Sequence, residues 1–177
     1  ILNELARRSI SHPDKSKEYL AKASEDIQRI NESLSDIVWN INPRYDDLQN
    51  LFVRMKRYAA DMLDGKNIKG EFNFPSGEPN LKLSMTQRRD LYLIFKEAVN
   101  NLVKYSDARN AAIRVSAKEH SIEMLVQDDG KGFDQKNANV GNGLQNMEQR
   151  AKASGAQIWI DSLPGNGTTI RMVMGIS

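Results

Sequence analysis

The apolar residues of this chain keep two different periods, and the change between them falls at Gly65. Upstream they run Leu20, Ala23, Ile27, Ile30, Leu34, Ile37 and Ile41, at alternating steps of three and four. That is a helical seam of the heptad kind. Its seven-residue step continues through Leu48, Met55 and Met62. Pro13 and Asp14 in "SHPDK" are placed to start the long helix. Residues 1–10 read as the end of an earlier helix packed antiparallel to it. Pro43 removes a backbone donor and should kink or divide the run. Such a seam is either a hairpin burying its own stripe or half of a bundle that a second chain completes. The first residue is not Met and lies in what reads as mid-helix, so we expect a piece of a longer protein.

Beyond Gly65 the pattern becomes mixed. "IKGEFNF" and "NLKLS" read as short strands, and Ser84 with Gln87 three residues on forms a capping box. The spacing then predicts a helix over 85–104, with Leu91, Ile94, Phe95, Ala98 and Leu102 inward. "AAIRVSAK" and "SIEMLVQ" alternate like strands joined at Glu119–His120, and a helix over 144–154 ends at Gly155. "AQIWIDS", the turn "LPGNG" and "TTIRMVM" complete a hairpin. We expect an α+β fold, a two-layer sandwich with helices on one face of a mixed sheet, over residues 65–177. Residues 1–64 form a separate helical region.

Charge excludes some functions. The net charge is +2 and neither half carries a dense basic stripe, which argues against nucleic acid as a partner. There is no cysteine, hence no disulfide framework or thiolate metal site. No apolar run approaches the ~20 residues of a membrane span, and no leader peptide is visible. We expect no membrane contact by this piece and a cytoplasmic location, with any anchor in upstream segments of the parent.

Six of the eleven glycines fall in three G-x-G pairs, Gly130/Gly132, Gly141/Gly143 and Gly165/Gly167, each at an element boundary. Two adjacent asparagines, Asn100 and Asn101, interrupt a helix that they should weaken. Glu97 and Asn101 are four apart and share a face, and Lys104 lies three further on. An amide oxygen there suits Mg²⁺, which is usually bound together with substrate phosphates. Lys104 would place a positive charge on those phosphates, Asp128 at a strand end would accept from an exocyclic amine, and Tyr105 offers a ring for stacking.

In order, "EAVNNLVKY", "DDGKGF", "GNGL" and "GNGTT" resemble the N, G1, G2 and G3 boxes of the GHKL (Bergerat-fold) ATPases. They are most similar to the ATP-binding domain of two-component sensor histidine kinases. Residues 35–63 resemble the second dimerisation helix and linker of the HisKA_3-like subgroup. The resemblance implies that Asn101 coordinates Mg²⁺, with Asn100 a lesser candidate, and that Glu97 is the carboxylate polarising a water or the attacking group. It implies that Lys104 contacts phosphate, Tyr105 stacks near adenine and Asp128 reads the adenine amine, with Gly130 and Gly132 letting the nucleotide close. Gly141, Gly143 and Leu144 would meet the phosphates at a helix N-terminus. Thr168 or Thr169 would bridge to the adenine pocket through water, and Phe133 would open a short lid over residues 133–140.

The implied activity is transfer of the γ-phosphoryl of MgATP to a histidine, then to a response-regulator aspartate, in a parent that dimerises through its helices. One feature departs from that pattern. The two histidines, His12 and His120, stand in turns and lack the "HD-x-x-G" setting of the acceptor. We therefore expect the acceptor outside this sequence. The alternative is a nucleotide-dependent regulator or anti-sigma-type module of the same fold without histidine phosphorylation.

Overall fold

A computed structural model describes residues 15–17, 19–20, 23, 48–76, 81–118, 120–134 and 142–176. The chain divides into two compact units, Ile1–Pro43 and Arg44–Ser177. In the first unit the described residues are helical. The readings made above for His12, Pro13, Asp14, Pro43 and the seam from Ile27 to Ile41 lie outside the described residues.

In the second unit, α1 (Leu48–Asp64) buries Leu48, Leu51, Phe52, Met55, Ala59 and Leu63. This stripe departs from the expected seven-residue seam at its end, where Leu63 is buried and Met62 only half-buried. A straight helix drifts by about 20° per heptad, so a helix packed on a globular core hands the buried place to the next residue.

After α1 comes β1 (Lys69–Asn73), then α2 (Met85–Tyr105). Ser84 caps α2: its hydroxyl accepts from the Gln87 N–H at 3.1 Å, and the Gln87 side chain accepts from the Ser84 N–H at 3.0 Å. The expected strand at "NLKLS" does not form. Residues 81–84 are irregular, with Leu83 buried and Ser84 committed to the cap. The five residues expected to face inward from α2 are all buried.

The remaining elements are β2 (Asn110–Lys118), β3 (Ser121–Asp128), α3 (Asn142–Ala153), β4 (Ala156–Ser162) and β5 (Thr168–Gly175). The sheet order is β1-β2-β3-β5-β4, with β1 parallel to β2 and the other pairs antiparallel. Alternation sends Ile113 and Val115 of β2, Ile122, Met124 and Val126 of β3, and Ile170, Met172 and Met174 of β5 into the core. Register joins them in rows, such as Val115–Met124–Met172 and Ile113–Val126–Ile170. Burying each such side chain contributes ~1.5–3 kcal/mol. The helices cover this face. The opposite face shows Arg114, Ser116, Gln127, Trp159 and Arg171 to solvent, with the Arg171 guanidinium 5.3 Å from the Trp159 ring centroid. Trp159 is thus a packing residue of the open face.

Candidate functional site

The rows of the covered face end in polar residues. In phase with Ile122, Met124 and Val126, the next buried position of β3 is Asp128. Register sets it between Ala111 of β2 and Thr168 of β5, and Thr168 pairs onward with Ser162 of β4. A carboxylate, two hydroxyls and no apolar side chain larger than alanine therefore close the core at this end.

Burial pushes the Asp128 carboxyl above the usual range, hydrogen bonds from the Gly130 and Thr168 backbone draw it partly back, and the neighbouring Asp129 charge raises it further. The Gly130 N–H donates to Asp128 Oδ1 at 2.9 Å. Ser162 Oγ ties the adjoining turns: it accepts from the Phe133 N–H at 3.0 Å, donates to the Gly167 carbonyl at 3.0 Å and bonds Thr168 Oγ1 at 2.9 Å. Thr169 pairs with Gln127 and Asp161, one step out of phase, and so belongs to the opposite face. Of the two threonines, Thr168 is the one beside Asp128.

The first glycine pair is pressed by protein. A Cβ on Gly130 would strike the Ser106 carbonyl oxygen, and one on Gly132, at φ 58°, would strike that of Leu163. These glycines bring the loop against the end of α2 and the β4–β5 turn, which places Asp128 at the loop's root. Ser106 is the hub of that contact. Its hydroxyl donates to the Leu102 carbonyl at 2.6 Å and accepts from the Ala108 N–H at 3.0 Å, and its own carbonyl accepts from the Lys131 N–H at 2.7 Å. Asp129 holds the start of β2. Its Oδ1 accepts from the Arg109 and Asn110 N–H groups at 2.9 and 2.8 Å, and its Oδ2 from Asn110 Nδ2 at 2.7 Å.

The second glycine pair meets α2. A Cβ on Gly143 would overlap Glu97 Oε1 and lie 3.5 Å from Asn101 Nδ2. With glycine at 143, the first turn of α3 lies against the Glu97–Asn101 face with Glu97 in its observed position. There the unpaired N–H groups of a helix start and its positive dipole end favour an anion. Leu144 follows in the same turn and is half-buried. Further along α3, Arg150 Nη1 lies 3.8 Å from Asp90 of α2, a buried carboxylate that Arg89 also meets at 3.2 Å. Gly141 and residues 135–140 of the expected lid lie outside the described residues.

The two asparagines diverge. Asn101 faces Gly143, whereas Asn100 Oδ1 accepts from the Tyr58 hydroxyl of α1 at 2.8 Å. Lys104 is exposed in the last turn of α2, and Tyr105 beside it is 63% exposed. From Glu97 to Ser106 the helix rises ~14 Å, joining the Gly143 contact at one end to the Gly130 contact at the other.

Sequence reasoning missed Ser162, Asp129 and Tyr58. The period-two phase of β4 carried a signal for Ser162, which stands in step with Ala156, Ile158 and Ile160. No local signal pairs Tyr58 with a residue 42 positions away.

As donors, the Glu97 carboxylate and Asn101 amide are hard oxygen ligands. Among the described residues no three His, Asp or Glu side chains group into a metal cage. The pair therefore fits an ion that arrives with a phosphate and keeps several waters, the habit of Mg²⁺.

Known proteins resemble this chain in sequence and fold. A sensor-like histidine kinase of Chloroflexus aurantiacus is 25% identical over 174 residues, covering 89% of this chain and 28% of its own length. The signal transduction histidine-protein kinase/phosphatase DegS of Bacillus subtilis is 28% identical over 129 residues, covering 71% and 33%. The chain thus spans about a third or less of the curated relatives it matches. The histidine kinase AdeS of Acinetobacter baumannii superposes with a TM-score of 0.66 at 16% identity, over 99% of this chain and 93% of that one, which shows a common fold. The family profile described as histidine kinase-, DNA gyrase B- and HSP90-like ATPase matches residues 86–176, a little over half of the chain, from the capping turn of α2 to the end of β5. By that match the chain belongs to the histidine kinase-, DNA gyrase B- and HSP90-like ATPases.

Proposed function

We propose that this chain is the ATP-binding catalytic region of a sensor histidine kinase. It transfers the γ-phosphoryl of MgATP to a histidine elsewhere in the parent protein, and from there to a response-regulator aspartate. The observation that carries the reading is the approach of Gly143 to Glu97 and Asn101, with the buried Asp128 beyond the other end of the same stretch of α2. In this reading Asp128 accepts from the adenine amine, Thr168 and Ser162 support that end, and the exposed ring of Tyr105 stacks against the base. The α3 N-terminus with Gly141, Gly143 and Leu144 binds phosphate oxygens, and Lys104 adds a positive charge.

Asn101, rather than Asn100, holds the ion through its amide oxygen. A bound Mg²⁺ would neutralise charge on the β- and γ-phosphates. The bond between the γ-phosphorus and the β,γ-bridging oxygen breaks, a bond from phosphorus to the imidazole Nε2 forms, and ADP leaves. Glu97 orients the attacking imidazole and takes up its proton. Residues 1–64 belong to the dimerisation region of the parent.

Mixing the chain with a helical domain bearing an acceptor histidine and MgATP is expected to give an acid-labile, base-stable phosphohistidine, and Asn101→Ala to remove it. Tight MgATP binding without phosphohistidine on any supplied helix would favour the regulatory module instead.

A further inference from the structure

A second set of contacts lies one residue round α2 from the nucleotide face. Tyr92, Lys96 and Asn100 recur at i, i+4 and i+8 and form one stripe along the helix, facing Arg54 and Tyr58 of α1. Arg54 Nε donates to the Tyr92 hydroxyl at 3.1 Å, and its guanidinium sits 4.6 Å from that ring's centroid. The buried Lys96 ammonium lies 5.4 Å from the Tyr58 ring and 5.9 Å from the Tyr92 ring. Tyr58 meets Tyr92 and Phe95 edge-on at 6.5 and 6.4 Å. At the top of this ladder the Tyr58 hydroxyl donates to Asn100 Oδ1 at 2.8 Å.

Successive residues of a helix are separated by about 100° of rotation. The stripe 92–96–100 therefore lies one step from the stripe 97–101 that meets Gly143. A roll of α2 by only a fraction of that angle swings the Asn101 side chain off its line to Gly143. Close packing of the ten buried residues of α2 limits such a roll without singling out one angle. A directional hydrogen bond resists it at one angle only.

We infer that Tyr58 is a positioning residue for the metal-bearing asparagine: its hydroxyl holds Asn100 and so fixes the roll of α2 that presents Asn101 to MgATP. Because Tyr58 stands on α1, a movement of α1 is transmitted to the ion site through this bond, and occupancy of the site is felt at α1 in return. The inference rests on the assignment of Asn101 as ion ligand.

Calorimetric titration of the chain with ATP, once with excess MgCl₂ and once with EDTA, tests it in wild type, Tyr58→Phe, Asn100→Ala and the double variant. Phenylalanine keeps the ring contacts and removes only the hydroxyl. The loss of one hydrogen bond predicts MgATP affinity weaker by about three- to ten-fold in each single variant. It also predicts no further loss in the double variant and metal-free ATP affinity changed less than about two-fold. Equal losses with and without magnesium, additive losses in the double variant, or wild-type affinity in Tyr58→Phe each overturn the inference. Asn101→Ala serves as the separate reference. If it binds MgATP as wild type does, the underlying ligand assignment fails; if it loses the magnesium-dependent part while Tyr58→Phe does not, only the role of Tyr58 fails.

Discussion

Replacing Gly143 with alanine should separate stability from catalysis. The added methyl would overlap Glu97 Oε1 and approach Glu97 Cδ to 3.2 Å and Asn101 Nδ2 to 3.5 Å. What it meets is the far end of a flexible side chain, so the fold relieves the clash by turning Glu97 aside. An off-rotamer side chain costs ~0.5–1.5 kcal/mol, and alanine regains up to ~1 kcal/mol of helix propensity over glycine. The two nearly cancel, which leaves the melting temperature within ~4 °C of wild type for a chain of this size.

Catalysis has no such compensation. In the role proposed for Glu97, a displaced carboxylate would no longer reach the attacking imidazole, and a general base is worth about 100- to 10,000-fold in rate. Phosphohistidine formation on a supplied acceptor helix, followed with labelled ATP alongside a thermal melt, reads both quantities. A wild-type rate with an unchanged melt would refute the role proposed for Glu97. As a contrast, Gly155 has φ 71° and open space around its Cβ position. Gly155→Ala should destabilise by ~1–2 kcal/mol from left-handed strain and leave MgATP affinity unchanged.

Three further outcomes follow from single residues. The Asp128 carboxyl is raised by burial, so its folded form favours the proton, and its contribution to stability is full below the unfolded value and lost as pH rises through the folded one. Asp128→Asn should therefore melt no lower than wild type at neutral pH while binding ATP more weakly; a lower melt with intact affinity contradicts this. Asp129 is shifted the other way, held down first by the Asn110 side chain. Its support is present at neutral pH and lost as pH falls through the acid range below 3.8, and Asp129→Ala should lower the neutral melt but not the melt in strong acid. Lys104→Ala should weaken MgATP by about three- to ten-fold, less so in high salt, because an exposed cation acts on the phosphates through solvent.

Much of the second unit was legible because each element buries one face and so imprints a period. The alternation of β2, β3 and β5, the stripe of α2 and the Ser84–Gln87 box all took the expected form. Asp128 was legible as well, since it continues the phase of Ile122, Met124 and Val126. Elsewhere the local signal was too weak. "NLKLS" alternates over too few residues to distinguish a paired strand from an extended approach to a helix cap. Met62 and Leu63 are adjacent apolar residues, and only the packing partner decides which one is buried.

The site divides along the same line. Residue types and their order pointed to Glu97, Asn101, Asp128 and the glycine turns, because coordination and close approach restrict which residues serve. The partners of those residues were hidden. Gly143 against Glu97, Gly130 against Ser106 and Tyr58 against Asn100 are contacts across the fold, and nothing in a local window encodes them.

The central claim is that the end of α2, the Asp128 loop and the start of α3 line one MgATP cleft. Amide chemical shifts of the isotopically labelled chain, recorded before and after MgATP, test it most directly. The account predicts that the largest changes fall together at residues 97–106, 128–133, 143–144 and 167–168, and saturate with a single affinity. Changes confined to one of these segments, or centred on the open sheet face around Trp159 and Arg171, would contradict it.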